Sequence, residues 1–347
     1  MEYYIVLLVF YAITLIFLRL VFAEIEGRQA RKMSNVRYFL RYHSKFVYRN
    51  QFSIIFVAFL CYMIVSVEKA FSTMWFLQLL GFIAVGVISD ALSQIVYYYY
   101  INFRFKKDIV ESEELKNEIE QAVLNQGEEL MQQTIPSYEP HRIIEDYLNE
   151  ENHLAVISVD GGNFTSQFEK LPPITYSVEL NPTKARETLE EKGVKVTTFT
   201  SQGKMPFKDE KLDVVVNELS NYDKFEMYRI LKPGGYLVVD QLGSDNYKEI
   251  INMFIPFKLK GQWNKEACQS TLTEIGFDIV DSYEDVGHIR FHSLSAVLAF
   301  MKSISPERVE KYEQFMNFYA DVLKKIKKNQ FYEITTHKFM VIARDRK

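Results

Sequence analysis

The stretch VISVDGGNFTSQF occupies Val156 to Phe168 and opens the part of the chain with the clearest fold signal. It begins with an apolar run, as a buried strand does, and Gly161 and Gly162 follow that run. A buried strand that ends in a glycine turn is typical of nucleotide-binding α/β folds, in which the turn approaches the ligand. The stretch therefore predicts a cofactor loop, and the residues around it indicate which kind.

Apolar runs alternate with helical patterns after this turn. This alternation predicts a parallel sheet in a doubly wound, Rossmann-like α/β domain. Such sheets bind ligands beyond the carboxyl ends of their strands, so the functional residues are expected directly after strands. The later strands are predicted at ITYSVEL (174–180), VKVTTF (194–199), KLDVVVNE (211–218) and YLVVDQL (236–242).

An acidic residue, Glu179, ends the second predicted strand, nineteen residues after Asp160. Nucleotide-binding folds place a carboxylate at about this spacing, where it accepts hydrogen bonds from ribose hydroxyls. The glycine turn and this carboxylate together indicate a nucleotide cofactor. They leave open whether that cofactor is a nicotinamide dinucleotide or another nucleotide.

The block GKMPFKDEKLDVVVNELSNYDKFEMYRILKPGGYLVVDQLG, Gly203 to Gly243, narrows the choice. It contains Met205-Pro206-Phe207, then Leu212-Asp213, and then RILKPGG from Arg229 to Gly235. This pattern resembles class I S-adenosylmethionine-dependent methyltransferases, and the resemblance covers about residues 138–347. A nicotinamide dehydrogenase is the least favoured alternative, because the LKPGG corner belongs to the methyltransferase pattern.

The resemblance implies a set of cofactor-binding residues. Glu179 would hold the ribose of S-adenosylmethionine, and the turn would contact the cofactor through Asp160, Gly161 and Gly162. Ser201 and Gln202, which follow the third strand, would approach the adenine. Asn217, after the fourth strand, would also face the cofactor.

The catalytic residue is unknown, and Asn217, Glu218 and Tyr222 are the candidates near the methyl group and substrate. Methyl transfer is an in-line displacement, so positioning supplies much of the rate and no dedicated nucleophile is required. A substrate with an acidic proton needs a base, for which Glu218, Asp223 and His337 are alternatives.

The turn departs from the family pattern of an acid followed by Gly-x-Gly-x-Gly. Ser158 stands at the acid, Asp160 at the first glycine and Phe164 at the third. Two hypotheses are compatible with this departure. The first is a membrane-anchored methyltransferase that acts on a small or membrane-associated substrate. The second is a catalytically inactive methyltransferase-fold pseudoenzyme that serves as a membrane-bound scaffold or sensor.

The membrane anchor is predicted from apolar runs before residue 104. A spanning helix needs about 20 apolar residues, and we expect three transmembrane helices, at about 4–22, 52–67 and 74–101, in a transmembrane domain over residues 1–103. Arg19 is expected to reach an interface. Asp90, whose role is open, is expected near a boundary or hydrogen-bonded to Gln94.

Basic residues predict the orientation of these segments. Seven lysines and arginines lie between Arg28 and Arg49, and Arg104, Lys106 and Lys107 follow the last run. The positive-inside rule places both groups in the cytoplasm. The sequence thus predicts a multi-pass protein of the cell membrane, with the N-terminus outside, the methyltransferase-like domain cytoplasmic and the lipid bilayer as a partner.

Charge and cysteine content restrict the other partners. Twelve basic and five acidic residues precede Asp108, a surplus of seven positive charges; since the total is −4, the remainder carries −11. An acidic domain is a poor match for phosphate backbones, so nucleic acid is unlikely as a partner. The two cysteines form no metal-binding spacing, so no metal site is expected.

A polar segment over residues 104–137 is predicted to be a helical linker. Leu115, Ile119, Ala122 and Val123 form a narrow apolar stripe at helical spacing. The stripe is compatible with two arrangements: a short coiled coil that makes a homodimer, or a helix that packs on its own domain.

Overall fold

The computed structural model describes residues 2–44, 73–124, 131–199, 204–254, 263–305 and 309–347. These residues form two compact units. Unit 1 comprises Met1–Leu130 and His292–Tyr332, and unit 2 comprises Met131–Phe291 and Glu333–Lys347. Unit 2 thus begins slightly before the predicted start at residue 138, and a segment within the predicted domain groups with unit 1 instead.

Helices make up unit 1 and flank the sheet of unit 2. They are α1 (Glu2–Lys32), α2 (Val36–Ser44), α3 (Thr73–Arg104), α4 (Lys106–Leu124), α5 (Pro140–Glu145), α6 (Asn163–Ser166), α7 (Pro182–Leu189), α8 (Lys224–Ile230), α9 (Lys248–Phe254), α10 (Lys265–Glu274), α11 (Leu294–Ile304) and α12 (Met316–Asn329), with 3₁₀ turns at Glu190–Lys192 and Tyr312–Phe315.

Strands within the described ranges all belong to one sheet of unit 2. They are β1 (Met131–Gln133), β2 (His153–Ser158), β3 (Ile174–Glu179), β4 (Lys195–Thr197), β5 (Leu212–Glu218), β6 (Leu231–Leu242), β7 (Phe277–Phe291) and β8 (Tyr332–Asp345).

Polar side chains occupy the contact between α1 and α3. The Arg19 guanidinium is buried and lies 2.7 Å from Asp90 Oδ1, and its Nε donates to Ser93 Oγ at 3.2 Å. Gln94 donates to the other Asp90 oxygen at 2.7 Å, as the sequence suggested. Arg19 is therefore an interior residue paired across two helices, and the expectation that it reaches an interface is wrong.

The membrane prediction needs correction. Among the residues that the structure describes, no helix combines the length and the apolar character required to cross a bilayer. The predicted three-span domain and the multi-pass localisation are therefore wrong. The prediction used only the number of apolar residues along the chain. It could not show that Arg19 and Asp90 pair between α1 and α3. The predicted span at 52–67 lies outside the described residues.

The apolar stripe of α4 packs inside unit 1. Ile119 is fully buried and Ala122 is buried, and α4 contacts α2, α11 and α12. Tyr312 also donates a hydrogen bond to Glu120 at 3.1 Å. The stripe therefore packs within unit 1. The homodimer stays a prediction.

The sheet of unit 2 has the order β4-β3-β2-β5-β6-β8-β7-β1. The five strands from β4 to β6 run parallel, and β8 lies antiparallel to β6. β2 and β5 are buried along nearly their whole length. Both faces of these strands are therefore covered, as is usual for strands of a parallel sheet. This order confirms the predicted doubly wound, Rossmann-like α/β fold for unit 2.

The LKPGG segment, Leu231 to Gly235, is the first part of β6 and follows α8 directly. α8 ends at Ile230 and β6 begins at the next residue, Leu231. Gly234 has a φ of +75°, which favours glycine, and a Cβ on Gly235 would lie 2.9 Å from the Asp213 carbonyl oxygen. The segment therefore shapes the backbone and carries no chemistry of its own.

Candidate functional site

The strand order reverses between β2 and β5. From β2 the chain proceeds outward to β3 and β4, and it then returns to place β5 on the other side of β2. The helices that follow β2 and β5 therefore leave toward opposite faces, and a crevice opens at the carboxyl ends of these two strands. This switch point is the candidate site, and the glycine turn lies directly above it.

The glycine turn has the backbone conformation that glycine alone adopts without strain. Gly161 has a φ of +73° and Gly162 a φ of +86°. Asp160 stabilises the turn, because its Oδ2 accepts a hydrogen bond of 2.7 Å from the Phe164 amide. A Cβ on Gly162 would lie 3.3 Å from Ala185 Cα, so this glycine also lets α7 approach closely.

The side chain of Phe164 points away from the turn into the core. The residue is only 6% exposed, and its ring lies 4.3 Å from the His141 ring and 5.6 Å from the Phe168 ring, centroid to centroid. Phe164 therefore does not fill the space above the turn. The departure from glycine at this position is a packing feature of unit 2.

Glu179 lies against the turn, at the position expected of a ribose ligand. Its Oε2 accepts from the Gly161 amide at 3.2 Å, and its Oε1 accepts from Ser177 Oγ at 3.1 Å. The carboxylate is fully buried, and burial raises its pKa. Contact with a ribose would require this buried group to become accessible, so its role in binding stays a prediction.

A row of polar residues crosses the sheet at the carboxyl ends of four strands. The register aligns Ser158 of β2 with Glu179 of β3, and Glu218 of β5 with Asp240 of β6. Ser158 donates to Glu218 Oε2 at 2.8 Å, which joins the two halves of the row. We call these four buried residues, Glu179, Ser158, Glu218 and Asp240, the acidic row.

Positive charge near the acidic row comes from Lys338 of β8. Its ammonium lies 3.0 Å from Asp240 Oδ2. Around the other Asp240 oxygen, the described residues supply no hydrogen-bond donor. Burial raises the pKa of Asp240, as it does for Glu179. Among the described residues, Lys338 thus forms an ion pair with one of the three buried carboxyl groups, and burial of the others favours their protonated form or a cationic ligand.

Glu218 has a pKa close to neutral pH. Its pKa is raised from 4.5 to about 7: burial is the largest cause, the charges of Asp160 and Asp240 also raise the pKa, and the Ser158 hydroxyl and the charge of Lys338 lower it. A carboxyl group with a pKa near the working pH is suited to accept or donate a proton. Among the candidate catalytic residues, Glu218 therefore has the environment of a base.

Glu218 should make unit 2 less stable as the pH rises. Its folded pKa exceeds its unfolded value, so the native state binds the additional proton between pH 4.5 and about 7, and stability falls across that window. The loss should reach about 3 kcal/mol, and Glu218→Gln should abolish that part of it. Urea unfolding at pH 5 and pH 8, followed by Trp263 fluorescence in a Trp75→Phe background, measures it.

Exposed Glu187 on α7 offers the matched control for this measurement. Glu187→Gln should leave the pH dependence of the unfolding free energy as it is in the wild type. If Glu218→Gln retains the full wild-type decrease between pH 5 and pH 8, Glu218 does not carry the raised pKa.

The other candidate residues after β5 have structural contacts as well. Asn217 Nδ2 donates to the Ser220 carbonyl at 2.9 Å, and this bond braces the loop that leaves β5. Tyr222 lies with its hydroxyl 4.0 Å from Cys268 Sγ, and burial raises the pKa of both groups. The Tyr222 hydroxyl thus stays protonated at neutral pH. Asp223 caps α8 by accepting from the Phe225 amide at 2.8 Å.

An open cleft of about 740 Å³ lies beside this loop. Ser220 and Tyr222 line it from the loop after β5, and Gln241 and Trp263 line it from the far side. Gln241 also donates to the Ser220 carbonyl at 3.0 Å, which fixes the wall between the cleft and β6. The cleft is thus placed beside the carboxyl end of β5, where a second substrate can approach the switch point.

The remaining predicted residues are the two adenine contacts, Ser201 and Gln202, and one alternative base, His337. Ser201 and Gln202 lie outside the described residues. His337 lies on β8 and is buried, with Nε2 2.9 Å from Glu284 Oε1, so it joins β8 to β7. Among the described residues, no cluster of histidine, cysteine and carboxylate side chains could hold a metal ion.

Sequence reasoning missed Ser158 as a link, and it missed Asp240 and Lys338 altogether. In the family pattern Ser158 is a missing acid, whereas in the structure its hydroxyl bridges Asp160 and Glu218. Asp240 was visible as an acidic residue within an apolar strand. Aligning the ends of the predicted strands would have placed it beside Glu218.

Comparisons with known proteins find similarity at the level of structure. No family model and no curated protein matches the chain. A candidate methyltransferase from Bacillus halodurans is 18% identical, with a TM-score of 0.42 over 58% of this chain and 96% of that one. An S-adenosylmethionine-dependent methyltransferase from Thermotoga maritima is 20% identical, with a TM-score of 0.33 over 70% and 98%.

A third similar structure is a candidate sarcosine dimethylglycine methyltransferase from Galdieria sulphuraria. It is 14% identical, with a TM-score of 0.39 over 60% of this chain and 83% of that one.

Proposed function

We propose that unit 2 is an S-adenosylmethionine-dependent methyltransferase domain that acts on a small-molecule acceptor. The acidic row carries the proposal. S-adenosylmethionine has a sulfonium and an ammonium group, and of the three buried carboxyl groups only Asp240 has an ion pair among the described residues. A cationic ligand at the carboxyl ends of β2 and β5 would correct that imbalance.

The glycine turn supports the same ligand. Gly161 and Gly162 add no side chains of their own at the switch point, and the ring of Phe164 is directed into the core. Glu179, adjacent to the Gly161 amide, is the residue we assign to the ribose. The cofactor supplies an electrophilic methyl group, and the residues of this chain orient it and shield it from water.

The acceptor would enter through the cleft beside the loop after β5. Tyr222 and Trp263 offer apolar surface there, and the hydrogen bonds of Asn217 and Gln241 to the Ser220 carbonyl hold the cleft wall in place. In-line transfer depends on such fixed geometry, because positioning supplies much of the rate.

Glu218 would receive a proton from the acceptor. Its pKa of about 7 leaves a large fraction ionised at neutral pH, and its carboxyl group lies at the switch point between Ser158 and Asp240. An ionised Glu218 next to the cofactor's positive charge would be stabilised, so its pKa should fall when the cofactor is bound.

A second function is favoured by one observation. Both Glu179 oxygens already accept hydrogen bonds within the protein, and the side chain is fully buried. In a fold that has lost cofactor binding, such internal hydrogen bonds would replace the contacts that Glu179 makes with a ligand. In that case unit 2 would serve as a protein scaffold without catalysis.

Binding of S-adenosylmethionine by the wild type separates the two functions, and the variant Glu179→Gln tests the assignment of Glu179 to the ribose. It removes the charge and keeps an oxygen that can accept from the Gly161 amide. If Glu179 holds the ribose, affinity for S-adenosylmethionine should fall about 10- to 100-fold, since a hydrogen bond to a charged group contributes about 1.5–3 kcal/mol. Equilibrium dialysis of the full chain with labelled S-adenosylmethionine measures it.

The control is Glu187→Gln on the exposed face of α7, which should bind like the wild type. Equal affinity of Glu179→Gln and the wild type would remove Glu179 from the ribose site while leaving the cofactor assignment intact.

A further inference from the structure

Glu218 and Asp240 lie side by side in the interior of unit 2. Their strands, β5 and β6, are adjacent and parallel, and the register pairs the two residues directly. Adjacent strands lie about 4.8 Å apart, so paired residues on one face of a sheet are close neighbours. Glu218 is 5% exposed and Asp240 is 0% exposed. Two carboxyl groups that carry like charges when ionised therefore meet where little water screens them.

The hydrophobic core shows that both side chains point to the same face of the sheet. Val216 of β5 and Val238 of β6 belong to one core cluster, together with Met340 of β8. Side chains alternate between the two faces of a strand, so residues two positions apart share a face. Glu218 and Asp240 each follow one of these valines by two residues. They therefore face the same cluster as Met340, which the register pairs with Asp240.

The groups around Asp240 are positive or neutral. Lys338 stands two residues before Met340 on β8, hence on the same face, and its ammonium lies 3.0 Å from Asp240 Oδ2. Burial raises the pKa of Asp240, whereas the charge of Lys338 and that of a protonated His141 on α5 lower it. The Tyr138 hydroxyl stays neutral, because burial and then the charge of Asp240 raise its pKa.

The groups around Glu218 are acidic or neutral instead. On the side away from Asp240, Ser158 donates to Glu218 Oε2 at 2.8 Å, and Glu179 lies beyond Ser158 in the acidic row. Asp160 of the glycine turn adds a further negative charge, which raises the pKa of Glu218 after burial has done so. A negative charge is therefore more stable on Asp240 than on Glu218.

We infer that Glu218 and Asp240 form a carboxyl pair that holds one proton below neutral pH, with the proton on Glu218 and the charge on Asp240 beside Lys338. Like charges on neighbouring buried carboxyl groups disfavour the doubly ionised state. The ion pair with Lys338 decides which of the two groups is ionised first. Asp240 is thus a positioning residue, which acts on the proton of Glu218 and does not contact the substrate.

This inference extends the proposed function, because Glu218 is the base assigned there. Glu218 accepts a proton from an acceptor only after it has released its own, and the charge of Asp240 delays that release toward neutral pH. The protonation of the carboxyl pair is a property of the chain without cofactor. A chain that fails to bind S-adenosylmethionine would therefore end the proposed function and leave the carboxyl pair intact.

Carbon-13 NMR of the full chain, labelled at its aspartate and glutamate carboxyl carbons, measures this protonation without cofactor. In the wild type, the Glu218 signal should titrate with a midpoint near pH 7, and the Asp240 signal should titrate at lower pH. Asp240→Asn removes the neighbouring charge and keeps the shape of the side chain. The Glu218 midpoint should then fall by about one pH unit or more, which is at least a ten-fold larger acid dissociation constant.

Lys338→Met tests the other half of the inference and serves if Asp240→Asn does not fold. It removes the ammonium group and keeps an unbranched side chain. Because the buried Asp240 carboxylate then lacks its counter-ion, the Asp240 midpoint should rise by about one pH unit or more. Thermal unfolding of each variant is recorded first, and the order of the two wild-type midpoints decides if neither variant folds.

Asp278→Asn is the matched control, because it removes the same charge from a strand residue of unit 2 whose side chain is 65% exposed and pairs with Arg346. It should leave the Glu218 midpoint at its wild-type value. The inference is overturned if folded Asp240→Asn leaves the Glu218 midpoint unchanged, or if folded Lys338→Met leaves that of Asp240 unchanged. It is also overturned if Asp240 titrates above Glu218 in the wild type.

Discussion

Phe164→Ala should lower the free energy of unfolding of unit 2 by about 3–5 kcal/mol, the usual cost of truncating a buried phenylalanine. The side chain is nearly fully buried, and it contacts the rings of His141 and Phe168 within the core that includes Val156 and Met340. Removal of the ring leaves a cavity that neighbouring side chains fill only in part. Urea unfolding followed by Trp263 fluorescence, in a Trp75→Phe background, measures the change.

Phe225 on α8 gives the control, because its side chain is 64% exposed. Phe225→Ala should change stability by less than about 0.5 kcal/mol. A Phe164→Ala loss as small as that of the control would mean that the ring does not pack in the core and instead faces the turn. Restoring the family's glycine at this position would damage the fold in the same way, because Phe164→Gly also removes the buried ring.

Asp90→Asn should destabilise unit 1 by about 3 kcal/mol, because it leaves the buried guanidinium of Arg19 without its counter-ion. Arg19 is 2% exposed, so water does not replace the lost carboxylate. The hydrogen bond from Arg19 to Ser93 Oγ is uncharged on the serine side and does not replace the lost ion pair. Urea unfolding followed by Trp75 fluorescence, in a Trp263→Phe background, measures the loss.

The double variant Arg19→Met/Asp90→Leu distinguishes a lost charge pair from lost packing. Replacing both partners by apolar residues of similar volume should recover most of the stability, because buried ion pairs are often no better than apolar contacts. A double variant that is as unstable as Asp90→Asn would show that the pair is needed for more than its mutual compensation of charge.

Much of unit 2 could be predicted from local patterns. The apolar runs around Val156, Val178 and Val216 are strands because residues buried on both faces of a parallel sheet must be apolar throughout. The turn at Gly161 and Gly162 and the corner at Gly234 were predictable because positive φ values favour glycine. These features depend on neighbouring residues alone.

Other features depend on which distant elements meet. The ring of Phe164 could not be placed, since its partner His141 lies on another helix. The acidic row exists only because the register aligns Glu218 with Asp240, and a shift by one residue would move one of them to the other face. In the sequence, Arg19 and Asp90 each look like residues at a membrane boundary. Their pairing could not be predicted, because it joins helices far apart in the chain.

The helical segment between β7 and β8 shows the same limit. α11 and α12 have clear helical patterns, and the sequence assigned this part of the chain to the methyltransferase-like domain. The structure groups them with α1 to α4 instead. A pattern of apolar spacing identifies which face of a helix is buried, and it does not identify the unit against which that face packs.

Isothermal titration of the full chain with S-adenosylmethionine is the most direct test of the cofactor assignment. We expect saturable binding of one molecule per chain with a dissociation constant below about 1 mM, within the range typical of enzyme substrates. S-adenosylhomocysteine, which lacks the sulfonium charge, should bind more weakly if the acidic row provides the complementary charge. The absence of S-adenosylmethionine binding at millimolar concentration would contradict the methyltransferase assignment and leave unit 2 as a scaffold.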